Sequence, residues 1–429
     1  MGSLPVDQSN VTKVPPVPDQ AVSRSMEPVL MVAACPFPCR RGTPIRIERL
    51  AETIAKSGRD VHVVAYHYSG NDDGSSFGSM PGSETSYTLH RIANVPGKWD
   101  PAPGPGIGKM LLLNPMLFAK TLQVVRKHGI RLLHCHHYEA LLVGLAVRKL
   151  HPVTVVYDAH TLLGDELSYY APPAFEGVLN RFGGMLDRSL PKRADHIIPV
   201  TEEIHDKLAA QNVVAPMTIV GNGLEEEAIA WFSRETGTPT PGRVVYAGNL
   251  AAYQGIDLLL DAFVMVALDH PGAHLDLVIP KPHDALMEKA RALGIGDKVT
   301  AIDADAADLA RELCTAEVRV NPRIECPGYP LKLLNYMAAG RPIVSFKSSG
   351  KNLKDGIDAC IVNDGDVSGF AAAISGLLSD RARGDALGQT ARDTVFGHYS
   401  WDAIAARVHS AYDQACAARG IGDGGRVYG

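Results

Sequence analysis

Residues Val320–Val344 read V-N-P-R-I-E-C-P-G-Y-P-L-K-L-L-N-Y-M-A-A-G-R-P-I-V. The opening residues end a short strand that breaks at Asn321-Pro322. Arg323, Glu325 and Pro327-Gly328 make a polar loop. Pro330 suits the first position of a helix, because its ring presets φ and its missing N–H would be unpaired there anyway. Leu333, Leu334 and Met337 fall on one apolar face. Gly340 ends the helix, and Pro342-Ile343-Val344 starts the next strand. Strand, loop, helix and strand in this order form the crossover unit of a parallel sheet. A helix opening from a loop presents unpaired N–H groups and a positive dipole end, which suit a phosphate. Lys332 and Arg323 add full positive charge nearby. Taken alone, the segment also describes an ordinary crossover with solvated basic residues.

The same alternation runs through both halves of the chain, with no repeat of roughly 20–50 residues that would make a solenoid or propeller. Val29–Ala34 is a continuous apolar run of the kind found in buried parallel strands. A loop over Pro36–Gly42 follows, and Thr43 can cap a helix with Pro44 at its first position. Ile47, Leu50, Ala51 and Ile54 share one face, Gly58 stops the helix, and Val61–Ala65 is the next strand. This β-α-β unit lacks G-x-G-x-x-G, so nothing in it argues for NAD. Residues 69–86 and Pro96–Gly108 read as loops dense in Gly, Ser and Pro. Lys109–His128 then makes an apolar helix pair with basic flanks, either facing the core or docking on a membrane surface. Leu132–His134 ends a strand and leads into His134-Cys-His-His137. This cluster has no Glu or Cys partner at a metal-ligand spacing. Val153–Tyr157 is a strand ending at Asp158-Ala-His160, and a His at the carboxyl end of a parallel strand sits where open α/β sheets bind ligands. Asp195–Val200, Val244–Gly248, Leu275–Ile279 and Val299–Ile302 are further strands. Thr201-Glu-Glu opens a helix with acids in its first turn. Glu235–Gly242, E-T-G-T-P-T-P-G, reads as a linker.

The chain has 429 residues, room for two domains with separate cores. It is 46% hydrophobic and 21% charged, which fits a soluble globular protein. A net charge of −5 argues against broad nucleic-acid binding. Its seven cysteines are scattered and form no C-x-x-C pair, so neither a zinc ribbon nor a disulfide framework is expected, and a reducing cytoplasm is the simplest setting. The polar, proline-rich start does not read as a signal peptide, and no run of roughly 18 apolar residues occurs that would span a membrane.

The stretch G-Y-P-L-K-L-L-N-Y-M-A-A-G-R-P-I-V resembles the nucleotide-sugar site of the family 4 glycosyltransferases, whose fold is GT-B. These enzymes usually carry a glutamate two residues before the Met, where this chain has Asn335. They often carry another eight residues earlier, where this chain has Pro327, with Glu325 two positions off. Y-A-G-N-L-A-A-Y-Q-G-I-D resembles the family's Y-x-G-R-L-x-x-x-K-G-x-D, with Asn249 for the usual Arg and Gln254 for the usual Lys. Those two bases normally neutralise the donor diphosphate, so Arg323, Lys332 and Lys281 would have to compensate. Gly42, flanked by Arg40-Arg41, fills the place of the family's glycine loop. His134-Cys-His136 is similar to its His-x-His at the cleft lip, and V-Y-D-A-H160 to its strand ending in a cleft-facing His. G-N-G-L-E225 resembles its P-N-G-V-D turn. S-W-D resembles the start of its closing helix. Asp303-Ala-Asp305 matches the metal-binding D-x-D of the other large glycosyltransferase fold, but its position is wrong for that fold. Asp305 with Asp308 is better explained as a helix N-terminus.

The resemblance implies two doubly wound, Rossmann-like α/β domains facing across a cleft. Residues 1–26 would be a disordered tail, 27–223 the acceptor-side domain, 224–242 a linker, 243–400 the donor domain, and 401–418 a helix crossing back. The implied activity is a retaining, metal-independent transfer from a nucleotide-diphosphate sugar to a hydroxyl acceptor, with no cofactor. His160, Lys332 and Arg323 would be catalytic. Gly42, Asn249, Gln254, Glu325, Gly328, Tyr329, Pro330, Leu331 and Asn335 would bind the donor, with Asn335 on the ribose. His136 and Tyr138 would face the acceptor. The implied place is the cytoplasm, with residues 107–128 contacting the inner membrane face if the acceptor is lipid-linked. The missing Glu, Arg and Lys also fit a non-catalytic subunit that binds nucleotide or a partner. Another GT-B reaction, such as sugar-nucleotide epimerisation, is a third reading.

Overall fold

The apolar runs form two parallel sheets in the structure, a computed structural model. It describes residues 26–39, 42–67, 85–95, 109–166, 176–235, 237–279, 283–304, 306–324 and 331–421. The first sheet contains β1 (Val29–Pro36), β2 (Val61–Tyr66), β3 (Thr88–Arg91), β4 (Leu132–His136), β5 (Thr154–Ala159) and β6 (His196–Pro199). The second contains β7 (Arg243–Ala247), β8 (His274–Val278), β9 (Val299–Ile302), β10 (Val318–Asn321), β11 (Ile343–Phe346) and β12 (Cys360–Val362). Their orders are β3-β2-β1-β4-β5-β6 and β12-β11-β10-β7-β8-β9. Each is the doubly wound order, in which the chain reverses direction across the sheet at one point. Those points are β1/β4 and β7/β10, and ligands of such sheets bind outside the carboxyl ends of the strands there. The expected pair of Rossmann-like domains is what forms.

Each sheet is covered on both faces, as parallel sheets require. Leu30, Val32 and Val64 pack with Leu117 and Val124 on one side of the first sheet, and Met31, Ala33 and Val63 with Ile47, Leu50 and Ile54 on the other. The helix Trp401–Ala418 joins that second cluster through Ile404, Val408 and Tyr412. In the second sheet, Val244 and Val320 pack with Leu259 and Phe263, and Val245 and Ile343 with Leu333, Leu334 and Met337.

Several elements differ from the sequence reading. The edge strand β3 was not expected; its T-L-H-R is only partly buried and gives no apolar run. Thr43 does not cap a helix. The helix Gly42–Lys56 already includes it, and its hydroxyl lies 2.9 Å from His137 Nε2. Lys109–His128 is one turn of π-helix, Lys109–Leu113, running into an α-helix, Asn114–His128. Leu117, Thr121, Val124 and Val125 turn inward, whereas Met110, Leu111 and Leu112 are exposed. The span 224–242 contains a helix, Glu226–Arg234, whose Ala228 and Phe232 pack with the second sheet. The helix expected from Pro330 runs over Lys332–Ala338 with Leu331 at its cap, and Pro330 itself lies outside the described residues. Among the described residues no helix is long and apolar enough to cross a membrane.

One buried ion pair ties the first domain to the turn that leaves it. Arg46 Nε and Nη2 donate to Asp158 Oδ2 and Oδ1 at 3.0 and 3.2 Å, and both side chains are almost fully enclosed. The same guanidinium donates to Val220 O at 2.8 Å, Gly221 O at 2.6 Å and Asn222 Oδ1 at 3.3 Å. All five N–H groups are thus used, as a buried arginine needs. A Cβ at the next residue, Gly223, would lie 2.5 Å from the Trp401 ring, so the turn has no room for a side chain there. Removing one partner of such a pair leaves a buried charge unanswered and costs about 3–5 kcal/mol, whereas removing both costs less. Arg46→Met should therefore lower stability by roughly that amount, and Arg46→Met with Asp158→Asn by clearly less. Denaturant melts of the two variants decide this, and a double variant no more stable than Arg46→Met would refute it.

Candidate functional site

The carboxyl ends of β4 and β5 carry a cluster built round Asp158. His136 Nδ1 lies 3.1 Å and His160 Nε2 3.6 Å from Asp158 Oδ2. His134 Nε2 is 3.4 Å from the same oxygen, and its Nδ1 is 2.7 Å from the Tyr412 hydroxyl. The His137 and His160 rings stack with centroids 4.3 Å apart. Burial alone would raise the Asp158 carboxyl. The Arg46 guanidinium, His160, and hydrogen bonds from His134 and His136 outweigh it and hold the group well below its ordinary value. Burial pushes His134, His136 and His137 the other way, toward the neutral form.

His134, His136 and Asp158 offer ligand-type atoms within 4.8 Å of one another, a partner the sequence spacing did not reveal. The set nonetheless suits hydrogen bonding better than a metal. Arg46 already faces both carboxylate oxygens, so a cation there would meet a fixed positive charge. His136 was expected to face an acceptor, but its side chain is fully enclosed and its contacts are Asp158 and His160. Tyr138 is buried as well, and His160 nearly so.

In the second domain, the ends of β7 and β10 lie side by side. Gly255 has φ +68°, and a Cβ on it would come 2.1 Å from Pro322 O, so only glycine lets these two loops meet. Asn321 Nδ2 ties the end of β10 to Ser345 Oγ and Ser349 Oγ, each at 2.9 Å. The Tyr336 hydroxyl accepts from Ala247 N at 2.7 Å and donates to Ala247 O at 3.0 Å, which clamps the helix Lys332–Ala338 to the end of β7. Lys332 is thereby brought over the Tyr246 ring, 4.7 Å from its centroid, and donates to Gln254 Oε1 at 2.8 Å. Arg323 lies over the Tyr253 ring at 4.6 Å. Asn249 Oδ1 accepts from Ala251 N at 3.1 Å and serves to shape its own loop.

Two cavities adjoin this helix. One of about 250 Å³ is lined by Ala247, Val278, Asp303, Lys332, Asn335 and Tyr336. The other, of about 660 Å³, lies between the domains against Gly42, Arg46, Asn222, Leu331, Asn335 and Trp401. Lys332 and Asn335 are three residues apart and share a helix face. Of the residues singled out in the sequence, Gly42, Leu331, Asn335 and Lys332 therefore line cavities. His136 and His160 belong to the separate cluster, and Tyr138 lies in the core of the first domain. Glu325, Gly328, Tyr329 and Pro330, with Arg40, Arg41, Lys281 and Asp305, lie outside the described residues. Arg46 was not foreseen: it sits beside the apolar stripe of its helix, and nothing near it in the sequence names its partner.

The three neutral histidines give a pH dependence. Their folded-state affinities for protons lie below that of an unfolded histidine, about 6.5. As the pH falls below that value the unfolded chain takes up protons that the folded chain refuses, so stability is lost on acidification. Each such histidine adds a loss approaching about 1.4 kcal/mol per pH unit. The Tm should be lower at pH 5.5 than at pH 7.5, and a Tm that holds or rises would exclude the neutral assignment.

A family model described as Glycosyltransferase Family 4 matches residues 40–228, and one described as Glycosyl transferases group 1 matches residues 241–380. The glycogen synthase of Mycobacterium tuberculosis is 22% identical over 381 residues, covering 85% of this chain and 89% of its own. Sucrose-phosphate synthase from Thermosynechococcus elongatus is 19% identical with a TM-score of 0.65, over 92% of this chain and 100% of that one. HepE of Anabaena, solved in complex with UDP, is 17% identical with a TM-score of 0.61, over 89% and 98%. The two family matches take in β2 to β6 and then β7 to β12, and the chain belongs to the family 4 glycosyltransferases, with their GT-B fold.

Proposed function

We propose that this glycosyltransferase moves a sugar from a nucleotide-diphosphate sugar to a hydroxyl acceptor, with retention at the anomeric carbon and without a metal. The carrying observation is Lys332, held by Gln254 and Tyr246 at the β7/β10 crevice and sharing a cavity wall with Asn335. The HepE complex with UDP supports the donor class. In the proposed step the bond from the anomeric carbon to the β-phosphate oxygen breaks, and its electron pair leaves with the phosphate. The acceptor oxygen bonds to that carbon from the same face. Its proton passes to the departing phosphate oxygen. Charge therefore builds on the diphosphate, and cations fixed in advance stabilise it there without reorganisation. Lys332 and Arg323 take this role. Asn335 holds the ribose diol, more weakly than a carboxylate would. His160 contacts the sugar.

Lys332→Ala should cut kcat/KM by about 10²-fold or more, with the loss visible in kcat because the interaction strengthens in the transition state. Asn335→Ala should weaken donor binding by roughly 1 kcal/mol. Steady-state kinetics, with UDP-, GDP- and ADP-sugar hydrolysis as the acceptor-free assay, test both. Near-normal kcat/KM in Lys332→Ala removes the lysine from the reaction. Turnover of none of these donors counts against the donor class.

A lipid-linked acceptor reached from the cytoplasmic membrane face is the proposed acceptor setting. Met110, Leu111 and Leu112 are 54, 75 and 44% exposed, and Arg126, Lys127 and His128 end the helix that follows. Exposed apolar side chains at one end of a helix and basic ones at the other suit an anionic bilayer surface along which the helix would lie. The chain should co-sediment with vesicles containing anionic phospholipid, and replacing all three apolar residues by Ser should abolish this. Absence of binding by the unaltered chain would reject the setting.

A further inference from the structure

The outer edge of the first sheet carries a second histidine cluster, which the transfer reaction does not use. His62 is the second residue of β2, His90 the third of β3, and His128 the last of the helix Asn114–His128. Val64 pairs with His90, so His62, two residues before Val64, shares a sheet face with His90. The helix that ends at His128 packs on that face through Val124 and Val125, which meet Val64. One ring nitrogen from each of the three histidines lies within 4.8 Å of the other two. His62 Nδ1 and His90 Nε2 are 2.9 Å apart. The His128 ring centroid is 4.5 Å from that of His62 and 5.4 Å from that of His90.

A fourth group sets the chemistry. Asp60 Oδ2 lies 3.3 Å from His62 Nε2, so the carboxylate accepts a hydrogen bond from Nε2–H and leaves the Nδ1 lone pair turned toward His90. Metal-bound histidines are oriented in this way, by a carboxylate on the nitrogen that does not ligate.

We propose that His62, His90 and His128 bind one divalent transition-metal cation of the zinc, cobalt or nickel class, which fastens the edge strand β3 to β2 and to the helix end. Imidazole suits these ions, and three imidazoles leave a further position for water at the exposed His128 side. Tetrahedral zinc at its usual nitrogen distance needs ligand atoms roughly 3.3 Å apart, so His62 and His90 part by a few tenths of an ångström. Burial first, then His62, His128, Lys120 and Lys127, push His90 down to about 4, which leaves its ring neutral and able to ligate. Asp60 favours a bound cation, and the two lysines oppose it. His62 stands near the amino end of β2, whereas the donor and acceptor crevices lie at carboxyl ends. The ion is therefore structural.

The test uses the full chain without a histidine tag, treated with a chelator and then titrated with zinc or cobalt(II) chloride. Calorimetry should give one tight ion per chain, cobalt(II) should show the visible bands of a low-coordinate nitrogen site, and zinc should raise the Tm by several degrees. The exposed position makes His128→Ala the variant least able to disturb folding. It should weaken binding by on the order of 100-fold and cancel the Tm rise, and Asp60→Asn should weaken binding by about 10–100-fold. Sugar transfer should be the same with and without zinc. No binding below about 100 µM, or one tight ion still bound by both His128→Ala and His90→Ala, would overturn the proposal. The latter result would place the ion elsewhere, with the His134–His136–Asp158 group the first alternative.

Discussion

A carboxylate inside the first domain must be answered by a positive charge, and Arg46 is what answers it. Asp158 has no exposed side-chain surface, so leaving it ionised without a partner would cost several kcal/mol. Arg46 supplies two hydrogen bonds to it and spends the other three on the backbone and side chain of residues 220–222. The turn at residues 220–222 is therefore fixed by the same guanidinium that answers the Asp158 charge. His134, His136 and His137 stay neutral chiefly because burial disfavours a charged ring. His160 inherits its orientation from that arrangement, through Asp158 on one edge and the stacked His137 on its face.

On the proposed donor side the problem is the opposite, too little fixed positive charge for a departing diphosphate. Two positions that carry bases in related enzymes hold Asn249 and Gln254. A second lysine at 254 would sit within hydrogen-bond reach of Lys332 and repel it. The carboxamide of Gln254 instead accepts from Lys332 and aims it. Tyr246 and Tyr253 lie beneath Lys332 and Arg323, and an aromatic face stabilises a cation by about 0.5–2 kcal/mol depending on its exposure. Fewer charges are thus held in more defined places.

What the sequence disclosed and what it hid follow the range of the interactions. Strands such as Val299–Ile302 and the apolar face of Leu333, Leu334 and Met337 are local patterns, so they read directly. So did the family, whose motifs lie along the chain in order. β3 escaped because an edge strand need not be apolar, and the helix start at Lys332 because a proline signals a beginning without fixing it. The contacts that make the site are between residues far apart. Arg46 meets Asp158 across 112 positions and Lys332 meets Gln254 across 78, and no spacing rule connects them. The His62, His90 and His128 group is of the same kind: three unremarkable histidines until the sheet register brings them together.

The two domains are joined unequally, and this bears on how the cleft works. The helix Trp401–Ala418 leaves the second domain and is embedded in the core of the first, with Trp401 against Gly223 and Leu224 N donating to Tyr399 O at 2.7 Å. That junction is apolar and backbone-bonded. Elsewhere the domains meet through pairs such as Arg49–Glu225 and Lys351–Glu203, at 2.6 and 2.7 Å. Pairs of this kind with a solvent-exposed partner contribute about 0–1 kcal/mol each. Breaking them therefore costs little compared with uprooting the helix. The cavity against Gly42, Arg46 and Asn335 lies beside that junction, so a ligand touching both walls would need only a small differential affinity to favour one arrangement of the domains over another. Arg46 lines that cavity while remaining committed to Asp158, which fixes the first-domain wall.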